Sequence, residues 1–358
     1  MKNESNSKGL VICSISVRNG INSEPPLSIQ TKRVAALFEK PKELSVQIFE
    51  EKVFLSINPG MLKISRKKPK TNARVIGAPK RQSIKKWTAK SRSNMVSRFS
   101  SLDYTEMFEK PDPIPVMITL TYPGDWLTVA PTASASKAHL SRFKKRFERE
   151  YKLKFRGLWK AEFQKRGAVH FHIFCVAPIA FSEFRQWVAR TWADVVNHPD
   201  PQQKLNHLRA GTAVDYAVGS TKDTPKRTAI YFSKHSSPNV GKKEYQNHPP
   251  AEWVEQGSVG RFWGYWNLTS KAESVELLKE DAVYAARIIR RWHRAQGITR
   301  KERAVRISDK TGHVSFRWQK RRVKRFNGVS GFLTTDSGLQ LAEHLARAIR
   351  IKSQDSGV

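Results

Sequence analysis

The chain has 358 residues, and its 65 Lys and Arg against 31 Asp and Glu give a formal net charge of +34. Hydrophobic residues make up 39% of the chain, enough for a folded core, and no run approaches the roughly 18 apolar residues that cross a bilayer. Composition therefore excludes wholesale disorder and an integral membrane protein. A positive charge of this size favours an anionic partner, of which nucleic acid is the commonest.

The cysteines and the first apolar run bear on the compartment. Cys13 and Cys175 are too few for a disulfide framework or a cysteine-rich zinc site. The apolar run over 10–17 is interrupted by serines and is too short for a secretory signal. We therefore expect a cytoplasmic protein.

The positive charge is concentrated in two segments. Residues 61–100 hold 13 Lys or Arg and no acid, and residues 287–325 hold 15 against two acids. They flank a more balanced, aromatic-rich centre. We therefore predict three regions: a partly ordered basic N-terminal region (1–105), a central domain (106–268) and a basic helical C-terminal region that binds DNA (269–358).

Secondary-structure signals follow one another along the chain from residue 116. Runs of β-branched and aromatic residues that stop at Pro or Gly predict strands, and apolar residues three and four apart predict helices. The predicted elements are a strand over 116–122, a helix over 134–150 with Ser134 or Ser136 as N-cap, strands over 155–163 and 168–176, a helix from Thr224-Pro225 to about Ser236, and a helix from Glu273 to Gln296 ended by Gly297.

The segment 159–176 carries the clearest chemical signal. On a strand, His170 and His172 share one face, while alternate residues form a core stripe on the other: Val169, Phe171, Ile173 and Cys175. A three-residue loop over 165–167, with its Gly in the left-handed conformation, would fix the register of the hairpin. That register places Glu162 opposite His170 and one diagonal step from His172.

Two imidazole nitrogens and one carboxylate oxygen suit Mn²⁺ or Mg²⁺, with coordination positions left for water and phosphate oxygens. The alternative is a pair of solvent-facing or hydrogen-bonded histidines on an amphipathic strand. The opposed Glu162 favours the metal interpretation.

A second signal lies on the helix predicted after Pro225. Tyr231 shares one helical face with Arg227, Lys234 and His235. A phenol with a pKa near 10 is a poor nucleophile at neutral pH, but a lysine one turn away favours the phenolate and neutralises charge that grows on a phosphorane. The alternative is an aromatic ring packed beneath a lysine stem.

Three motifs stand in one order along the chain: Ile118-Thr-Leu-Thr-Tyr122, His170-Phe-His172 and Tyr231-Phe-Ser-Lys234. This order resembles that of the rolling-circle replication initiators, or Rep proteins, of the HUH endonuclease superfamily. The likeness is greatest to the single-tyrosine Reps of bacterial plasmids and single-stranded DNA phages, and it covers roughly residues 85–268.

The resemblance implies an α+β fold, with a central antiparallel sheet flanked by helices in a ferredoxin- or RRM-like arrangement and with basic extensions at both ends. It makes 106–268 a nicking and strand-transfer domain. It implies that His170, His172 and Glu162 bind Mg²⁺ or Mn²⁺. Tyr231 would become joined to the DNA 5′-phosphate, releasing a 3′-hydroxyl primer, with Lys234 as its assisting cation.

The resemblance also implies the partners. Origin DNA would be single-stranded or a hairpin at the nick and duplex where it is recognised, and a bacterial host would supply the cytoplasm and replication machinery. No ATP-binding phosphate loop is present in the sequence, so a host helicase is expected to unwind the strands. Three alternatives remain: a non-enzymatic basic nucleic-acid-binding protein, a conjugative relaxase and a single-strand transposase. Tyr216 is a candidate second nucleophile but is interpreted as a strand residue.

Overall fold

A computed structural model describes residues 27–38, 52–58, 60–67, 84, 86–234, 245–246, 248–257, 259–270, 272–295, 299–307, 311, 314–322 and 331–355. The helices are α1 Leu27–Ala36, α2 Ala89–Ser100, α3 Trp126–Val129, α4 Ala133–Tyr151, α5 Phe181–Val196, α6 Pro201–Ala210, α7 Pro225–Lys234, α8 Ala251–Glu255, α9 Lys279–Ala295 and α10 Gly338–Asp355. The strands are β1 Lys52–Asn58, β2 Met61–Lys67, β3 Ile114–Leu120, β4 Gly157–Gln164, β5 Val169–Ala177, β6 Thr212–Tyr216, β7 Tyr245–Gln246, β8 Trp263–Trp266, β9 Glu273–Leu277, β10 Thr299–Ile307, β11 Val314–Arg322 and β12 Gly331–Thr334.

The central sheet has the strand order β6-β3-β5-β4-β7, and β8 pairs with β4 as well. Every neighbouring pair in it is antiparallel. The fold is therefore α+β, with a five-stranded antiparallel sheet flanked by helices, which confirms the predicted fold class. The strand that carries the two histidines, β5, lies in the middle of the sheet.

The turn between β4 and β5 sets the register of the sheet. Gly167 has φ +90°, and the Gln164 N–H donates to the Ala168 carbonyl at 2.9 Å, so the loop is the predicted three residues. The Arg166 guanidinium donates to the carbonyls of Tyr122 and Pro123 at 2.7 and 2.6 Å, which fastens the tip of the hairpin to the end of β3. The predicted pairing of Glu162 with His170 follows from this turn.

The two faces of the central sheet pack against different helices. The predicted stripe of Val169, Phe171, Ile173 and Cys175 is buried, and Tyr122, on the same face, contacts His139 of α4 and Trp192 of α5. On the other face, Tyr104, which follows α2, contacts the Phe174 ring at 6.4 Å between centroids. This second face also carries the two histidines.

Helix α4 begins one residue earlier than predicted. Thr132 is its N-cap and accepts a hydrogen bond from the Ala135 N–H at 2.9 Å, so the prediction of Ser134 or Ser136 as the cap was wrong. Thr132 has the extended backbone that a cap needs, whereas both serines lie inside the helix. The predicted core residues of this helix are buried, as expected: Leu140, Phe143 and Phe147.

The two ends of the chain fold together into a second unit, here called the terminal unit, which consists of α1, β1, β2, β9, α9, β12 and α10. Its sheet has the order β12-β2-β1-β9, with every pair antiparallel, and its helices share a second apolar core. Residues 273–277 were predicted to be helix, and this was wrong, because Val275 and its neighbours pair with β1. Helix α9 follows the strand, and the predicted stop at Gly297 lies outside the described residues.

The central domain and the terminal unit meet at Gly60 and at the start of α7. A Cβ added to Gly60 would lie 2.5 Å from Cγ of Pro225 and 2.6 Å from the carbonyl oxygen of Ser100. Oδ1 of Asp336 accepts a hydrogen bond from the Lys226 N–H at 2.9 Å. The terminal unit therefore holds the first turn of α7.

Strands β10 and β11 form a separate two-stranded antiparallel ribbon, so the region after residue 269 contains strands as well as helices. Among the helices in the described part of the chain, none is both long and apolar enough to cross a membrane.

Candidate active site

Three adjacent strands bring polar side chains together on the face of the central sheet opposite the aliphatic stripe. His172 on β5 is paired with Thr119 on β3 and with Lys160 on β4, and His170 is paired with Glu162 one step further along. Because paired residues on antiparallel strands project from the same face, these five side chains form one polar patch.

Glu162 is the centre of the patch, since both of its carboxylate oxygens are engaged. Oε2 lies 2.9 Å from Nε2 of His172, and Oε1 accepts a hydrogen bond from Nζ of Lys160 at 2.7 Å. Burial by itself raises the pKa of Glu162, but the His172 hydrogen bond and the Lys160 charge outweigh it and lower that pKa to about 2. The carboxylate is therefore ionised at neutral pH, and its side chain is only 6% exposed.

Lys160 was not selected from the sequence, although its side chain is only 1% exposed and contacts Glu162 directly. The predicted hairpin register already placed it opposite His172, and that was the signal available. A lysine on a strand is usually solvated, so position alone did not distinguish it from the surface lysines of a strongly basic chain.

Two threonines of the first motif hold the histidine rings. Oγ1 of Thr121 lies 3.1 Å from Nδ1 of His170, and Oγ1 of Thr119 lies 3.2 Å from Nδ1 of His172. The two rings are 4.7 Å apart between centroids. Partners at both Nδ1 atoms leave the Nε2 atoms as the ones that a cation would meet, as in histidine metal sites.

The donor set fits a divalent cation in its chemistry. Nε2 of His172 and Oε2 of Glu162 are 2.9 Å apart, and two ligand atoms of one Mg²⁺ or Mn²⁺ ion, each about 2.1 Å from it at a right angle, are about 3.0 Å apart. Within the described residues, however, no group of three or more His, Cys, Asp or Glu side chains is already arranged to hold a metal ion. The ligand set of His170, His172 and Glu162 stays a prediction.

Helix α7 contains Tyr231 and Lys234 in its second half, as predicted, and α7 packs against α2. The side chains of these two residues, and all of His235, lie outside the described part of the chain. At the other end of the helix, the Thr224 carbonyl accepts from the Arg227 N–H, which places Thr224 at the N-cap. Its hydroxyl bonds to the Thr221 N–H instead of to the helix.

Helix α2 adds a second cation near Glu162. Arg92 lies over the Trp87 ring at 5.9 Å from its centroid, and the Trp87 indole donates to the Ala161 carbonyl next to Glu162. Burial lowers the pKa of Arg92, and the negative charge of Glu162 partly restores it. The basic segment before residue 100 therefore contributes to the site as well as to the surface.

Two further histidines lie behind the patch and are neutral. Nδ1 of His139 lies 2.9 Å from the Tyr122 hydroxyl, and Nε2 of His207 lies 2.7 Å from the Thr121 carbonyl. Burial lowers the pKa of His139 to about 4, and it lowers the pKa of His207 as well. Their spacing in sequence gave no signal, because they come from α4 and α6.

Tyr216 is a strand residue, as predicted. It lies at the end of β6, which is the outermost strand on the β3 side of the sheet, and its ring stacks on Phe181 at 3.8 Å. Two strands separate its position from that of β4, which carries Glu162.

Residues 115–238 match a family of replication-associated proteins, that of ORF2 and the gene 2 protein. The matched span runs from β3 through the histidine strand to just beyond α7, and it therefore includes the polar patch and Tyr231. This match supports a replication initiator and a DNA partner. Neither a curated protein nor a solved structure matches the chain.

Proposed function

We propose that this chain is a rolling-circle replication initiator that nicks one DNA strand at an origin through Tyr231. The observation that carries the proposal is the polar patch of His170, His172 and Glu162, which lies inside the span that matches a family of replication-associated proteins. The same span contains α7 and its tyrosine.

The patch would hold Mg²⁺ or Mn²⁺ through His170, His172 and Glu162, and the ion would supply positive charge to a phosphate group. Glu162 is ionised before any cation arrives, because its pKa is about 2. Lys160 occupies one carboxylate oxygen, so a single oxygen of Glu162 is left to act as a ligand. The threonines hold both rings by their Nδ1 atoms and thereby orient them.

Tyr231 would act as the nucleophile. Its phenol oxygen forms a bond to phosphorus while the bond from phosphorus to the 3′-oxygen of the neighbouring nucleotide breaks. The phenol loses its proton, and the departing 3′-oxygen gains one, which leaves a 5′-phosphotyrosine and a free 3′-hydroxyl. Lys234, one turn along the helix, favours the phenolate and neutralises charge on the phosphorane.

Duplex DNA would bind to the basic ends of the chain. The ribbon of β10 and β11 pairs Arg300 with Arg321 and Ala304 with Arg317, so these arginines share one face. A two-stranded ribbon fits the major groove of B-DNA, and arginines suit phosphate and base-edge contacts. A host helicase would separate the strands.

The decisive experiment incubates the full chain with a labelled origin oligonucleotide and Mn²⁺ and looks for a covalent adduct on a denaturing gel. We expect an adduct that maps to Tyr231, is absent in Tyr231→Phe and is abolished by EDTA. Tyr265→Phe, an exposed tyrosine on β8, is the matched control and should retain the adduct. Strong cleavage with no protein on the DNA would indicate a water-attacking nuclease and contradict the proposal.

A non-enzymatic DNA-binding protein is the second candidate, and one observation favours it. Lys160 and His172 satisfy both oxygens of Glu162 without any cation, as they would in a purely structural network. This candidate predicts no adduct under any condition, and it predicts that Tyr231→Phe leaves replication intact. A relaxase or a single-strand transposase would form the same adduct and would differ in the DNA it selects.

A further inference from the structure

A cleft of about 650 Å³ opens beside the start of α7. Met117 and Phe174 are buried at its floor, and Phe174 shares a strand face with His172 two residues away. The cleft therefore lies on the side of the central sheet that carries the polar patch. The segment between β6 and α7 forms its rim, together with Asp336 from the terminal unit.

An aromatic ring stands at the edge of this cleft. Tyr216 is 57% exposed, and its ring is stacked on Phe181 with 3.8 Å between centroids and 13° between planes. Val218, next along the rim, is 75% exposed. A large ring fixed on one side and open to solvent on the other is suited to stacking on a nucleic-acid base.

Two cations lie on the same rim. Lys226 and Arg227 line the cleft, and in the described part of the chain neither forms an ion pair. Gly219, at φ +72°, lies directly against Arg227, since an added Cβ would be 2.6 Å from Cζ of that guanidinium. A side chain at position 219 would therefore displace the arginine, and the glycine leaves it room beside the cleft.

Asp336 is the one acid among the described residues that line the cleft. Its Oδ1 already accepts a hydrogen bond from the Lys226 N–H, and burial raises its pKa. The carboxylate therefore serves α7, and the two cations give the cleft an excess of positive charge.

We propose that this cleft binds one nucleotide of single-stranded DNA, with its base stacked on Tyr216 and its phosphate contacting Arg227 and Lys226. The proposal rests on the proposed function, because it assigns the bound strand to the substrate of the same site. Arg227 is four residues before Tyr231, about 6 Å along the helix axis. The nucleotide therefore lies close to the nick, and binding requires a base that is not stacked in a duplex.

The test measures the affinity of the full chain for single-stranded DNA in EDTA, in a Tyr231→Phe background, so that neither metal nor nicking contributes. The probe is a fluorescein-labelled oligo(dT) of about 12 nucleotides, within the usual site size of such proteins, and the readout is anisotropy. The variants are Tyr216→Ala and Arg227→Gln. Their matched controls are Tyr265→Ala and Arg209→Gln, on β8 and α6.

We expect Tyr216→Ala and Arg227→Gln each to weaken binding of oligo(dT) by about 5- to 100-fold, and Tyr216→Trp to restore it. The controls should stay within about twofold of the parent, and all variants should keep the thermal midpoint of the parent. The proposal is overturned if Tyr216→Ala binds like the parent, or if its affinities for duplex and single-stranded DNA fall equally.

The two proposals fail separately. If no adduct forms at Tyr231 but the cleft variants still bind single-stranded DNA more weakly, the nicking chemistry is wrong and the cleft stands. If the adduct forms and the cleft variants bind oligo(dT) normally, the cleft assignment is wrong and the nicking chemistry stands.

Discussion

Lys160 shows how one residue can decide the state of a site. A lysine that is 1% exposed needs an anion beside it, and Glu162 supplies one at 2.7 Å. In turn the lysine contributes to keeping that carboxylate ionised. The pair therefore stabilises the fold and presents a charged oxygen next to His172.

We expect Lys160→Met to lower the free energy of unfolding by about 3–5 kcal/mol, because it leaves the buried Glu162 carboxylate without its cation. Denaturant unfolding monitored by tryptophan fluorescence measures this. The double variant Lys160→Met with Glu162→Gln should regain part of that stability, since no buried charge is then left unpaired. A single variant as stable as the parent would show that the pair contributes nothing.

Which site residues could be predicted depended on strand register. Gly167 marked a short turn, so the pairing of Glu162 with His170 followed from counting along the hairpin. Thr119 and Thr121 could not be assigned in the same way, because β3 reaches β5 through a long connection that no local rule fixes. The side chain of Tyr231 lies outside the described residues, so its distance from the histidines stays a prediction.

At the scale of whole elements, the errors came where tertiary pairing outweighed local preference. The segment 273–277 has acidic and small residues compatible with a helix start, yet it forms a strand because β1 offers an unpaired edge. Strands of the central hairpin were predictable, since their alternation and their turn agree. The N-terminus of α7 was located by Thr224-Pro225, but Asp336, 110 residues away, provides the bond to its first turn.

The ribbon of β10 and β11 should contribute to duplex binding through its charge. We expect the triple variant Arg300→Gln, Arg317→Gln and Arg321→Gln to reduce the slope of log affinity against log salt by about 2–3, because each phosphate that is no longer neutralised lowers that slope by about 0.9. Anisotropy with a duplex of about 20 base pairs across a salt series measures the slope.

The matched control for the ribbon removes three exposed arginines from α4, α5 and α6: Arg149, Arg185 and Arg209. It should change the slope by less than one. Equal changes in both triple variants would mean that the whole basic surface binds DNA without any preference for the ribbon.

For the molecule as a whole, the terminal unit and the central domain are coupled at α7. Gly60 of the β1–β2 turn touches Pro225, and Asp336 bonds to Lys226, so the first turn of the tyrosine helix is clamped from the terminal side. Binding events on the terminal unit can therefore reach the helix that carries Tyr231 through two direct contacts.

We expect Gly60→Ala to lower the free energy of unfolding by about 1–3 kcal/mol and to slow adduct formation on single-stranded DNA. The added Cβ would lie 2.5 Å from Cγ of Pro225, so α7 or the turn must move. Gly124→Ala is the control, because its Cβ would meet only Gln203 at an ordinary 3.4 Å. Unchanged adduct rates in Gly60→Ala would show that the contact does not position α7.

The terminal sheet also has a consequence for biosynthesis. Strands β1 and β2 leave the ribosome about 200 residues before β9, which at about 5–20 residues per second is a delay of about 10–40 seconds. During that interval their apolar faces have no partner helices, and chaperones are the expected shelter. The clamp on the tyrosine helix closes last, so a nascent chain carries an incompletely seated cutting apparatus until Asp336 has been synthesised.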